Sequence, residues 1–268
     1  MPAPTRSTRL VATAAALGLL ALAGCAATPT ATSGEPTDAA ATADASAPIV
    51  DCGVPVTPLA SPAERIVTVK STAAELVLAL GLGDALVTTA FLDGPLEGSS
   101  APTIEGMPSR EAVLALEPDA IVAGWESAFA AEAIGDRAQL AELGVTTWVS
   151  PAACWSTEVP KLTWDALLGE FEDAATVLGV PEAGASLADE QRATLEAIEP
   201  VDGDLSALWY SSGEDAPYVG AGAGAPQLVL DTAGLANVAA DLDETWTTLS
   251  WEAVAASDPD VIVLVDAP

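Results

Sequence analysis

Residues 250–263 read S-W-E-A-V-A-A-S-D-P-D-V-I-V, and residues 109–122 read S-R-E-A-V-L-A-L-E-P-D-A-I-V, the same residue at nine of fourteen positions and 141 residues apart. Repetition at one long spacing marks a duplicated domain and not a short-period solenoid. Each copy has a mechanical reading. Ser109 and Ser250 cap a short helix, Glu111 and Glu252 occupy the first turn where the helix dipole favours an anion, and Pro118 and Pro259 end it. The apolar runs that follow, 120–123 and 261–265, suit a strand buried on both faces of a parallel sheet. Any α/β protein contains helix-turn-strand units, so the unit names no function. Its duplication predicts two three-layer, Rossmann-like α/β lobes.

Around the first copy, residues 65–69 read as a buried strand, 72–80 as its helix, 85–90 as the next strand and 145–149 as a later one, with a helix near 131–143 between. Lys70 and Ser71 sit where strand gives way to helix, the place where open α/β sheets put anionic ligands. Thr72 with Glu75 three residues on fits a capping box. Phe91 and Asp93, Trp125 and Glu126, and Cys154 and Trp155 fall at the tips of three loops from one edge of one sheet. A single aromatic at a loop tip is ordinary packing; several on one edge read as a stacking surface.

Residues 161–178 and 186–198 read as helical, so a long helical connector joins the lobes and restricts hinge motion. The second lobe opens with a strand over 205–210 that carries Trp209 and Tyr210. Tyr218 precedes G-A-G-A-G-A at 220–225, with Gly222 at its centre, and Pro226 then starts a helix. Two readings stand for that loop: backbone N–H groups facing an anion, or a flexible link. Trp246 leads into the second copy. By the symmetry of the repeat, the second lobe lacks the helix and strand that follow copy one. The sequence therefore reads as a fragment of a longer frame, with an exposed sheet edge and one wall of its cleft missing.

The N-terminus carries Arg6 and Arg9, an apolar run over 10–22, and then Leu22-Ala23-Gly24-Cys25. A positive start, a segment too short to span a bilayer and small residues before a cut describe an export signal. Its end resembles the bacterial lipoprotein signal, which implies cleavage before Cys25 and lipidation of its thiol. Residues 26–48, nearly all Ala, Thr, Ser, Pro, Asp and Glu, read as a disordered tether. The domain plan is signal 1–24, tether 25–48, first lobe 49–160, connector 161–200 and truncated second lobe 201–268. Against 39 acidic residues the chain has 8 basic ones, for a net charge of -31. That disfavours nucleic acid and anionic lipid as partners and makes each cation conspicuous. Export permits Cys52 and Cys154 to pair, the other reading being two free thiols.

The runs P-A-E-R-I-V-T-V (62–69), A-E-L-V-L-A-L-G-L-G-D (74–84) and the two P-D-apolar strands resemble the substrate-binding lipoproteins of bacterial ABC importers for iron-siderophores and cobalamin, the helical-backbone class. K-S-T (70–72), A-G-W-E-S (123–127), V-S-P-A-A-C (149–154), L-W-Y-S-S-G (208–213), P-Y-V-G-A-G-A-G-A-P-Q (217–227) and T-W-T-T-L-S-W-E (245–252) are similar to the actinobacterial subgroup assigned to a precursor of the deazaflavin coenzyme F-420. The resemblance implies a monomeric, extracytoplasmic, membrane-anchored receptor that hands a solute to a permease and its ATPase. It also implies that Glu75 meets the permease. The candidate ligand residues are Lys70, Ser71, Phe91, Asp93, Trp125, Glu126, Trp155, Trp209, Tyr210, Tyr218, Gly222 and Trp246. No cofactor is expected. A planar deazaflavin asks for aromatic faces and its phosphodiester and carboxylate for Lys70 or the glycine-loop amides; cobalamin suits the same aromatics.

A secreted hydrolase with paired carboxylates is the competing class. The chain has no histidine and no G-x-S-x-G turn, which removes the commonest nucleophile systems. Missing histidines also speak against zinc or manganese receptors and histidine-ligated haem.

Overall fold

The computed structural model describes residues 48–157 and 160–265. The signal, most of the tether and Cys25 lie outside the described residues. A small hairpin of β1 (Ile49–Asp51) and β2 (Val54–Val56) leads into the first lobe, β3 (Ile66–Val69), α1 (Ser71–Ala79), β4 (Leu86–Ala90), β5 (Thr103–Ile104), α2 (Arg110–Leu114), β6 (Ala120–Ala123), α3 (Arg137–Glu142) and β7 (Thr146–Val149). These strands form one parallel sheet in the order β5-β4-β3-β6-β7. Every residue of β3 and β6 is buried. Two apolar cores lie on its two faces, one around Val77, Val122 and Trp148, the other around Val69, Ile121 and Leu140. A continuous apolar run needs this double cover.

The connector is α4 (Trp164–Val177) followed by α5 (Pro181–Glu196). It is thus two helices folded into a hairpin and not one long rod. Gly179, at φ 77°, makes the turn where a Cβ would overlap the Ser61 carbonyl, so only glycine lets the hairpin press against the first lobe. Leu59 and Ala63 donate N–H groups to the carbonyls of Val177 and Leu178.

In the second lobe, β8 (Ser206–Ser212), β9 (Tyr218–Gly220), α6 (Ala225–Ala233), β10 (Ala236–Asn237), β11 (Trp246–Thr248), α7 (Trp251–Ser257) and β12 (Val261–Leu264) build a mixed sheet. β8 pairs in parallel with β10 and β12 and antiparallel with β9, which pairs with β11. Its core, around Leu208, Val219 and Val254, is separate. Among the described residues no hydrogen bond or ion pair joins the two sheets directly. The connector bonds to both, through Leu162 N–H to the Ala223 carbonyl at 2.9 Å and Trp164 Nε1 to Thr232 Oγ1 at 2.7 Å on the second-lobe side.

Both copies of the repeat form helix and strand. Ser109 and Ser250 accept from Ala112 and Ala253 as N-caps. The strands differ in burial. β6 is enclosed, whereas β12 pairs only with β8 among the described residues and leaves Ile262 51% and Leu264 67% exposed. Three expectations shift. α1 begins at Ser71 with Lys70 as its uncapped N-cap, so Thr72 lies inside the helix and no capping box forms. The helix before β7 is confined to Arg137–Glu142, after a short 3-10 turn at Glu126–Phe129. α5 starts at Pro181, because proline at a first helical position needs no N–H partner.

Candidate functional site

The carboxyl ends of β3, β4 and β6 bring Lys70, Phe91, Asp93 and Trp125 into one cluster. Strand order does this, since β3 lies between β4 and β6 and the three parallel strands end at the same edge of the sheet. The Lys70 ammonium pairs with Asp93 and lies 4.2 Å from the Trp125 ring centroid and 5.0 Å from that of Phe91. The two rings meet edge to face with centroids 5.4 Å apart. Aromatic faces attract a cation through their quadrupole, more strongly when it is shielded from water, and the Lys70 side chain is only 9% exposed. Ser71 Oγ accepts the Asp93 N–H at 2.8 Å and fixes the loop that carries the counter-charge.

Lys70 and Phe91 both have positive φ, 80° and 50°. For residues with a Cβ such conformations cost about 1–3 kcal/mol each and persist where surrounding structure enforces them, often at ligand sites. Gly124 permits the crowding, because a Cβ there would lie 2.5 Å from Thr72 Oγ1 and 2.9 Å from Lys70 Cβ.

Glu126 adjoins the cluster and serves a neighbouring loop. Its carboxylate accepts the N–H groups of Trp155 at 2.6 Å and Ser156 at 2.9 Å, and the Ser156 hydroxyl as well. Partial burial works the other way, but the Ser156 hydroxyl and the two amides hold the carboxyl below its usual range. The clamp fixes the backbone at Trp155, which is 73% exposed. The same loop is anchored by the Cys52–Cys154 disulfide. Beside it, Arg137 Nη2 donates to Asp51 Oδ2 at 2.6 Å in a buried pair. Burial pushes the Asp51 carboxyl up, opposed by the Arg137 guanidinium and the Val149 N–H. Asp51, Cys52 and Cys154 cluster as metal ligands do, but both sulfurs are spent in the disulfide.

On the second lobe, Tyr218 stacks on Trp246 across β9 and β11, with centroids 5.8 Å apart and planes 18° from parallel. Trp209 and Tyr210 are consecutive on β8, so their side chains leave opposite faces of the sheet and cannot both face one solute. Tyr210 packs against Trp251, a half-exposed aromatic in the first turn of α7 that was not among the candidate ligand residues. The Trp209 indole N–H is buried without a partner among the described residues. Gly222 is buried too. Its N–H goes to the Leu242 carbonyl, and those of Ala221 and Ala223 go to Thr245 and Glu244. The glycine loop thus spends these amides inside its own lobe, not on an anion. Among the described residues no hydrogen bond, ion pair or aromatic pair joins this group to the Lys70 cluster. Glu75 is exposed on α1, away from the cluster's contacts.

A family model described as periplasmic binding protein matches residues 66–267. A solved structure of an Fe3+-hydroxamate transport protein from Saccharomonospora viridis is 26% identical, with TM-score 0.67, covering 81% of this chain and 79% of that one. A periplasmic heme-binding protein from Roseiflexus sp. RS-1 is 28% identical at TM-score 0.60, covering 76% of each chain. A periplasmic binding protein from Veillonella parvula, 24% identical at TM-score 0.69 with 78% and 73% covered, shares the fold. No curated protein matches the chain.

Proposed function

The chain belongs to the periplasmic binding protein family, and from that premise we propose that it captures a flat, partly anionic aromatic solute, a deazaflavin coenzyme precursor, between its lobes for an ABC permease and ATPase. It is a binding protein and not an enzyme, and its family works outside the cytoplasm. No helix among the described residues is long and apolar enough to cross a membrane, and attachment would come from a lipid on Cys25. The receptor would act as a monomer, with Glu75, exposed on α1, among its permease contacts.

One observation supports this reading above the others: Phe91 and Trp125 stand at the ligand edge of a parallel sheet with Lys70 and Asp93 between them. Aromatic faces suit a fused ring, and a cation already neutralised by Asp93 suits a solute whose own anionic group displaces that carboxylate. Tyr218, Trp246 and either Trp209 or Tyr210 would offer the opposing wall. A ferric hydroxamate or cobalamin is the second reading, favoured by the Fe3+-hydroxamate transport protein among the similar structures.

Tryptophan fluorescence separates them. Saturable quenching by coenzyme F-420 or its precursor, without turnover and with little response to cobalamin or ferric hydroxamates, supports the deazaflavin. The reverse order of affinity removes it. Release of reducing sugar from a glycan would return the hydrolase to consideration.

A further inference from the structure

A cavity of about 500 Å³ opens between α1, the carboxyl ends of β6 and β7, and the α4–α5 hairpin. None of its lining residues belongs to the aromatic cluster or to the second lobe. Its wall is mostly apolar, with Leu76, Trp148, Leu167 and Phe171 among its lining, and two carboxylates, Glu75 and Glu170, line it as well. That volume lies within the range of small-molecule sites, which pair an apolar wall with a few polar groups. Among the described residues, no Lys or Arg lines it.

We propose that this cavity is a second binding site, for an alkylammonium or alkylguanidinium monocation, with the alkyl chain against Leu76, Trp148, Leu167 and Phe171 and the cationic head between the carboxylates of Glu75 and Glu170. The charge balance argues for it. Glu170 accepts the Ser150 hydroxyl at 2.9 Å, and among the described residues no cation pairs with it. Burial pushes its carboxyl up to about 7, against the Ser150 hydroxyl and the pull of the Ala152 amide, with Asp51 and Asp173 adding to the rise. The charges that act on it are Asp51 from β1 and Asp173 from α4, Glu75 from α1 and the neutral Gln191 from α5 line the same cavity, and Arg137 is committed to Asp51. An acid desolvated among acids gains most from a counter-charge brought by a ligand. An anionic or zwitterionic occupant would add to the repulsion.

Calorimetric titration of the full chain with hexylammonium at pH 8 tests this. One-to-one binding is expected, strengthening roughly threefold to fourfold per methylene from butyl to hexyl. Hexanoate should not bind, and hexanol should bind at least about tenfold more weakly than hexylammonium. At pH 7 the binding should release about half a proton, read from buffers of different ionisation enthalpy. Glu170→Gln should abolish that release and weaken binding roughly tenfold, and Glu75→Gln should weaken binding with the release retained. Hexanol binding as tightly as hexylammonium overturns the proposal, as does proton release that persists in Glu170→Gln. Absence of saturable binding to a chain that melts cooperatively overturns it too.

Discussion

The ammonium of Lys70 lies 4.2 Å from the ring centroid of Trp125, and its counter-ion Asp93 comes from a different loop. Three strand ends therefore share one charge. Removing Asp93 or Lys70 does different things to the site.

Asp93→Asn leaves the cation between its rings and frees it for an incoming anion. We expect affinity for coenzyme F-420 to rise about tenfold, with affinity for a neutral deazaflavin lacking the phosphate unchanged. Lys70→Met should weaken both, because the rings lose the charge that orders them. Fluorescence quenching in the three proteins decides it. Equal affinities throughout would remove the cluster from the ligand site.

Glu126→Gln keeps the shape of the clamp and removes its charge. The Trp155 loop should gain mobility, seen as lower anisotropy of the fluorescence that Trp155→Phe abolishes, and solute affinity should fall roughly fivefold. The Glu126 carboxyl is depressed in the folded state. Its contribution is therefore complete above its ordinary value and disappears as pH falls through the lowered one. Binding that weakens on going from pH 8 to pH 6 would need another group.

The Asp51–Arg137 pair and the neighbouring disulfide anchor the start of the described chain to the far edge strand. Asp51→Ala leaves the Arg137 charge buried and should cost about 3–5 kcal/mol. Replacing Cys52 and Cys154 by serine opens a loop with a sequence separation of 102 and should cost about 2–4 kcal/mol. The two sites adjoin, so the combined loss should depart from the sum. Urea unfolding measures all three. A loss under about 1 kcal/mol for Asp51→Ala would mean that water or the loop relaxes to reach Arg137.

The repeat at 109–122 and 250–263 made the two-lobed plan legible, because both copies obey the same local rules of cap and proline stop. Burial was not legible in the same way. The V-I-V-L of β12 is as apolar as β6, yet its side chains alternate between half-buried and exposed, since enclosure depends on which strands lie beside it. Lys70, Phe91, Asp93 and Trp125 could be gathered from the sequence because parallel strands deliver their loops to one edge. The glycine loop left two readings open: glycine signals close approach of backbone, but whether to a ligand or to the segment around Leu242 depends on tertiary packing. Asp51, Arg137 and Glu170 had no local pattern at all. Only the scarcity of cations pointed toward Arg137.

Glu170 also sets a pH dependence of stability. Its carboxyl rises from an ordinary 4.5 to about 7 in the folded state, so the native chain holds a proton that the unfolded chain has lost between those values. The contribution is complete below about pH 4.5 and decays as pH rises toward 7, by at most about 3 kcal/mol. Asp51 and Asp173 are raised as well, so the curve of the unaltered protein mixes several groups. The difference from Glu170→Gln isolates one. The glutamine variant should match the parent near pH 4 and exceed it by about 2–3 kcal/mol at pH 8, read from urea midpoints. A variant that is the weaker of the two at pH 8 would show that the ionised carboxylate is already satisfied, and saturating hexylammonium should narrow the gap by stabilising the parent more than the variant, which binds it roughly tenfold more weakly.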